Sequence, residues 1–93
     1  MKTLVPLKTS GEITTTTDAA KEMISVPAGA RYSAVLFSNY SLNDAYVSID
    51  AGTTWIFLGA GETKNYQDVE IFSAVQVKNV DAGSNVTVTA EIT

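Results

Sequence analysis

The last stretch of the chain alternates with period two. Val86, Val88, Ala90 and Ile92 interleave with Thr87, Thr89, Glu91 and Thr93. Side chains point to opposite faces along a strand, so this pattern predicts a half-buried β-strand. Residues 32–38 set Tyr32, Ala34 and Leu36 against Ser33, Val35 and Phe37. Both sets are largely apolar, which predicts a central strand covered on both sides. Residues 45–50 set Val47 and Ile49 against Tyr46 and Ser48. Residues 71–80 read as one strand, with Val75 and Val77 opposite Phe72, Ala74, Gln76 and Lys78. Shorter strands are expected over 23–26 and 54–58. Residues 63–70 read equally as a strand around 64–66 or as a loop.

Turn signals separate these runs. They are Pro27-Ala28-Gly29, Ser41-Leu42-Asn43-Asp44, Ala51-Gly52-Thr53, Gly59-Ala60-Gly61 and Asp81-Ala82-Gly83-Ser84, the last a hairpin turn. Proline cannot donate to a ladder, glycine admits positive φ, and Ser, Asn and Asp bond nearby backbone. Seven to eight short strands with no sustained helical period predict an all-β fold. Its form is a single small β-sandwich or jelly-roll-like barrel of antiparallel strands. The expected core is Val35, Phe37, Val47, Ile49, Leu58, Val75, Val77, Val86 and Val88.

Two segments nearly repeat. Ser33-Ala34-Val35-Leu36-Phe37-Ser38-Asn39 recurs as Ser73-Ala74-Val75-Gln76-Val77-Lys78-Asn79. An apolar run ending in Ala-Gly precedes each copy, 24–29 in the first case and 56–61 in the second. An alternating run follows each. Duplication and convergence both explain this, and either one puts the two copies in similar positions of the sandwich.

The first 22 residues differ from the rest. Glu12-Ile13-Thr14-Thr15-Thr16-Thr17 is β-prone with a single apolar residue, so it suits an edge strand or an extended arm but cannot fill a core. Residues 18–22 suit one helical turn capped by Asp18, or a loop or strand. Leu4, Val5 and Leu7 are the clustered apolar residues before them. As an arm, residues 1–22 would bury these three on a neighbouring subunit and add backbone hydrogen bonds there.

Composition narrows the chemistry. The 93 residues suit one domain, and 45% hydrophobic against 17% charged residues is a globular balance. There is no cysteine, so disulfides, thiolate nucleophiles and zinc–sulfur sites are excluded. There is no histidine, the commonest general base and transition-metal ligand. No catalytic pair and no cofactor site follow from the remaining residues. The net charge is −4 and the six cations are scattered, which argues against nucleic acid. No apolar run approaches the roughly 20 residues of a membrane span, and residues 1–6 lack a signal-peptide core. A protein made in the cytoplasm is expected.

The remaining constellations are few. Asp44, Asp50, Glu62 and Asp81 sit in turns without the ligand ladder of a calcium loop, so turn capping is expected. Gly59-Ala60-Gly61 lacks the helix and the lysine of a phosphate loop. Trp55 with Tyr40, Tyr46 and Tyr66 suits either an aromatic platform for a sugar or ordinary strand packing.

One resemblance gives these features a context. Residues 28–41, reading AGARYSAVLFSNYS, are followed by Asn43-Asp44-Ala45-Tyr46-Val47-Ser48-Ile49 and then by Leu58-Gly59-Ala60-Gly61-Glu62. Together they resemble the small β-sandwich accessory proteins of tailed-bacteriophage virions, including capsid decoration proteins. The resemblance spans about residues 24–92. Asp50-Ala51-Gly52-Thr53 stands where those proteins more usually carry a glycine-rich turn. It implies a non-enzymatic structural protein located in the virion. Such a protein is a homo-oligomer, with a trimer favoured, and docks on the major capsid protein or another virion protein. It often carries an extended amino-terminal arm. Leu4, Val5, Leu7, Tyr40, Trp55 and Tyr66 are the candidate partner-binding residues. The rival expectation is a carbohydrate-binding or adhesion module.

Overall fold

The computed structural model describes residues 9–93, which hold eight strands and no helix. They are β1 (Thr9–Thr15), β2 (Lys21–Ile24), β3 (Tyr32–Asn39), β4 (Ala45–Ser48), β5 (Ile56–Leu58), β6 (Thr63–Ile71), β7 (Val75–Asn79) and β8 (Val86–Ile92). One sheet has the order β1-β8-β3-β6, the other β2-β7-β4-β5. Every pairing is antiparallel. The chain changes sheet at each connection except the β4–β5 hairpin. Two sheets interleaved in this order form an eight-stranded jelly roll. The sandwich expected from the alternation is therefore of the jelly-roll type.

The inward residues follow the alternation. Val35, Phe37, Ile71, Val86, Val88, Ala90 and Ile92 face in from the first sheet, and Ile24, Ala45, Val47, Leu58, Val75 and Val77 from the second. Each is at most 5% exposed. Full burial of one large apolar side chain is worth about 1.5–3 kcal/mol, so this layer dominates the stability of the domain. All the expected core residues are here except Ile49. It lies just past β4, half-buried against the cluster.

The two sequence repeats fall on β3 and β7, each an interior strand of its sheet. Advancing every strand number by four, and counting on from β8 to β1, turns β1-β8-β3-β6 into β5-β4-β7-β2. That is the second sheet read backwards. β3 and β7 are thus equivalent places in the topology. The same operation matches β2 with β6 and β1 with β5, so the apolar runs 24–29 and 56–61 are not equivalent.

Three expectations need correction. β3 is not covered on both sides. β8 and β6 flank it within the sheet, but a two-layer fold has nothing to lay on its second face, and Leu36 is 39% exposed. Residues 71–80 are not one strand. β6 ends at Ile71, and Phe72-Ser73-Ala74 crosses to the other sheet, where β7 begins. Residues 71, 75 and 77 are all buried, so period two is blind to the crossing. Residues 81–84 do not close a hairpin, because β7 and β8 lie in different sheets. Of the readings open for residues 18–22, loop leading into strand is the one found, since β2 starts at Lys21.

Residues 63–71 are a strand with a bulge. The register with β3 jumps from Ala34↔Gln67 to Tyr32↔Ile71, and Asp68 sits there at φ 58°. The half-buried side chains are Lys64 and Tyr66 before it, and Val69 after it. The inward parity changes across this irregularity on both strands, from 64 and 66 to 69 and 71 on β6 and from 35 to 32 on β3.

At the amino-terminal side, Thr9–Thr15 is an edge strand paired with β8 from Thr9↔Ile92 to Thr15↔Val86. Of the two readings open for this segment, the edge strand is the one found. Gly11 is required there, because a Cβ at this position would lie 2.7 Å from the Met23 carbonyl oxygen on β2. Leu4, Val5 and Leu7 lie outside the described residues.

Candidate functional site

Four connections meet at one end of the sandwich. The Gly83 N–H donates to the Thr16 carbonyl, Asn79 to Thr17, Asn39 to Glu62 and Val80 to Asp44, at 2.8–3.3 Å. The Asn43 side chain adds a bond to the Asn85 carbonyl at 2.9 Å. The loops β1–β2, β3–β4, β5–β6 and β7–β8 are therefore cross-linked. Asp18, Asp44, Glu62 and Asp81 stand on them, which gives this end an acidic rim.

The β3–β4 loop is the most fixed of the four. Asn39 is 2% exposed and saturates its amide. Its Nδ2 donates to the carbonyls of Asn43 at 2.9 Å and Leu58 at 3.2 Å. Its Oδ1 accepts from the N–H and the hydroxyl of Ser41 at 2.9 and 2.6 Å. A buried amide bonded on all sides holds the backbone in one conformation. This scaffold carries Leu42, 93% exposed, and Tyr40, 71% exposed. Leu36 and Tyr40 line one shallow depression on the outer face of the first sheet, with Ser38, Thr89 and Glu91.

A second cluster lies on the outer face of the other sheet. The rings of Tyr46 on β4 and Phe57 on β5 meet edge to face, 5.9 Å between centroids. Lys78 on β7 is the register partner of Tyr46. Its Nζ lies 4.3 Å from the Trp55 ring centroid and 5.6 Å from that of Tyr46. A third aromatic contact is at the opposite end from the loops. Arg31 bonds Glu70 at 3.0 Å and lies 4.9 Å over the Phe72 ring.

The candidate residues are thus dispersed. Trp55 and Tyr46 share one face, Tyr40 belongs to the loop end, and Tyr66 packs against the core from β6. No platform unites Trp55 with Tyr40 and Tyr66. Alternation along the strands does not show which outer face a tyrosine joins. Leu42, Phe57 and Lys78 were not candidates. For Leu42 the signal was present, an apolar residue inside the polar turn Asn39-Tyr40-Ser41-Leu42-Asn43. For Lys78 it lay in the cross-strand pairing with Tyr46, which only the fold supplies.

Three of the four turn carboxylates bond backbone. Asp44 accepts from the Ala60 N–H at 2.9 Å and Glu62 from Gly59 at 2.7 Å. Asp50 accepts from the Ser48 hydroxyl at 2.7 Å and the Thr54 N–H at 2.8 Å. Partial burial pushes the Asp50 pKa up, but hydrogen bonds from Ser48, Thr54 and its own backbone outweigh that and hold the carboxyl below the usual aspartate value. Among the described residues no group of three or more His, Cys, Asp or Glu converges on one point. No protein-family model and no curated protein matches the chain.

Proposed function

We propose that this protein is a non-enzymatic assembly subunit, a virion accessory protein of the capsid-decoration kind. It forms a homo-oligomer, a trimer in the favoured form, that docks on the major capsid protein or another virion protein. The observation that carries this reading is Leu42. An apolar side chain is held 93% exposed on a loop fixed by the buried Asn39. An exposed leucine contributes little to the fold, and a backbone already fixed by Asn39 has little conformational entropy left to lose on docking. The acidic rim around it gives a contact orientation and selects against like-charged neighbours. The sequence resemblance supplies the setting. Sedimentation equilibrium of the intact chain tests the reading. It predicts a mass of three or more chains, and a monomer contradicts it.

A further inference from the structure

From a different face of the molecule, and independently of the assembly reading, we infer that the outer surface of the second sheet binds a sugar ring bearing a carboxylate. Phe57 is 45% exposed there, and Tyr46 and Trp55 are half-buried beside it. The apolar C–H face of a pyranose packs on aromatic rings of this kind. Lys78 rises from β7 among them. It has ring contacts, and among the described residues it makes no ion pair. Its ammonium is attracted by the π-faces but keeps its full charge for an anion.

The surroundings fit such a ligand. Gln76, two residues before Lys78 on the same face, offers an amide to sugar hydroxyls. Glu22 is the register partner of Gln76 on β2, and Asp44 and Glu62 lie beside Gly59 and Phe57 at the other flank, bonded to the N–H groups of Ala60 and Gly59, so Lys78 is the cation between two acidic flanks of this face. A ligand carboxylate meets Lys78 between these flanks, over Trp55 and Tyr46, and Phe57 extends the stacking surface. A cation–π contact at a part-exposed site is weak, so the ammonium can leave Trp55 for a carboxylate without disturbing the sheet. Neutral sugars stack on the same rings without that gain.

Trp55 is the sole tryptophan of the chain and reports on the site directly. The intact protein is titrated with sialyllactose, with galacturonic acid trimer, and with lactose and maltotriose as neutral counterparts. Trp55 fluorescence and two-dimensional NMR of labelled protein are read together. Saturable shifts at Trp55, Tyr46, Phe57 and Lys78 are expected with at least one acidic probe. Which acidic probe binds separates a sialylated glycan from a uronic-acid polymer. Lys78→Gln is expected to weaken acidic binding by about tenfold or more, the worth of one charge-assisted hydrogen bond, and to leave neutral binding unchanged. Phe57→Ser lowers both, and binding is read below the variant's own melting transition because its edge contact with Tyr46 is lost as well. No saturable response to either acidic probe overturns the inference. So does equal affinity for acidic and neutral sugars, or a Lys78→Gln variant that binds as the parent does.

Discussion

Asn79 ends β7 as Asn39 ends β3, and each donates from its buried Nδ2 to a carbonyl of the loop that follows. The two residues hold equivalent places in the topology and close the two copies of the sequence repeat. The largest difference is at Oδ1. Oδ1 of Asn39 takes two bonds from Ser41, while Oδ1 of Asn79 is buried without a partner among the described residues. The residue matching Ser41 is Asp81, which has carboxyl oxygens where Ser41 has a donor hydroxyl.

The asymmetry predicts a gain. Asp81→Ser supplies the hydroxyl that Ser41 supplies in the first unit. It should stabilise the protein by about 1 kcal/mol, which raises Tm by about 4–8 °C in a domain of this size. Calorimetry of the variant decides it. An unchanged or lower Tm removes the equivalence between the two loops.

The same comparison ranks two losses. Asn39→Ala strips partners from two carbonyls and from the Ser41 N–H. A cost of about 2–4 kcal/mol is expected, since each buried group left unpaired costs about 1–3 kcal/mol. Asn79→Ala removes fewer bonds and should cost less. Urea denaturation of both variants gives the order.

Phe37 and Leu36 are neighbours on β3 with opposite fates, one fully buried and the other 39% exposed. Phe37→Ala should cost about 3–5 kcal/mol through the cavity it leaves. Leu36→Ala should stay within about 0.5 kcal/mol. Equal effects would place the strand in the wrong register.

Asp50 gives the protein an acid limb. Its folded pKa lies below the ordinary 3.8. The stability it contributes is therefore complete above that value and is lost as pH falls through the folded pKa. Asp50→Asn should lower Tm at neutral pH, and the gap to the parent should close under acid. Thermal melts across that range test the sign. A gap that widens in acid contradicts it.

The sequence made the layers legible and the path between them obscure. Alternation in β8 marked Val86, Val88, Ala90 and Ile92 as one face, because a half-buried strand imposes period two. It failed in β6, where the bulge at Asp68 reverses parity. It also failed over 72–74, where the chain crosses between sheets without breaking the period. Turn residues show that the chain reverses, but not which sheet receives it. That is why 81–84 looked like a hairpin. The functional surfaces were least legible. Asn39 is visible as the end of a repeat; three of its four bonds are local, to Ser41 and Asn43, and the fourth needs Leu58, which only the fold brings near.

The central claim is that Leu42 is an assembly contact and not a surface accident. Light scattering coupled to size exclusion, run on the parent and on Leu42→Glu, tests it most directly. At 93% exposure the substitution leaves the fold intact, so both proteins should share one melting curve. The account predicts an oligomer for the parent and a smaller species for the variant. A Leu42→Glu protein with the same mass as an oligomeric parent, or a parent that is itself a monomer, contradicts it.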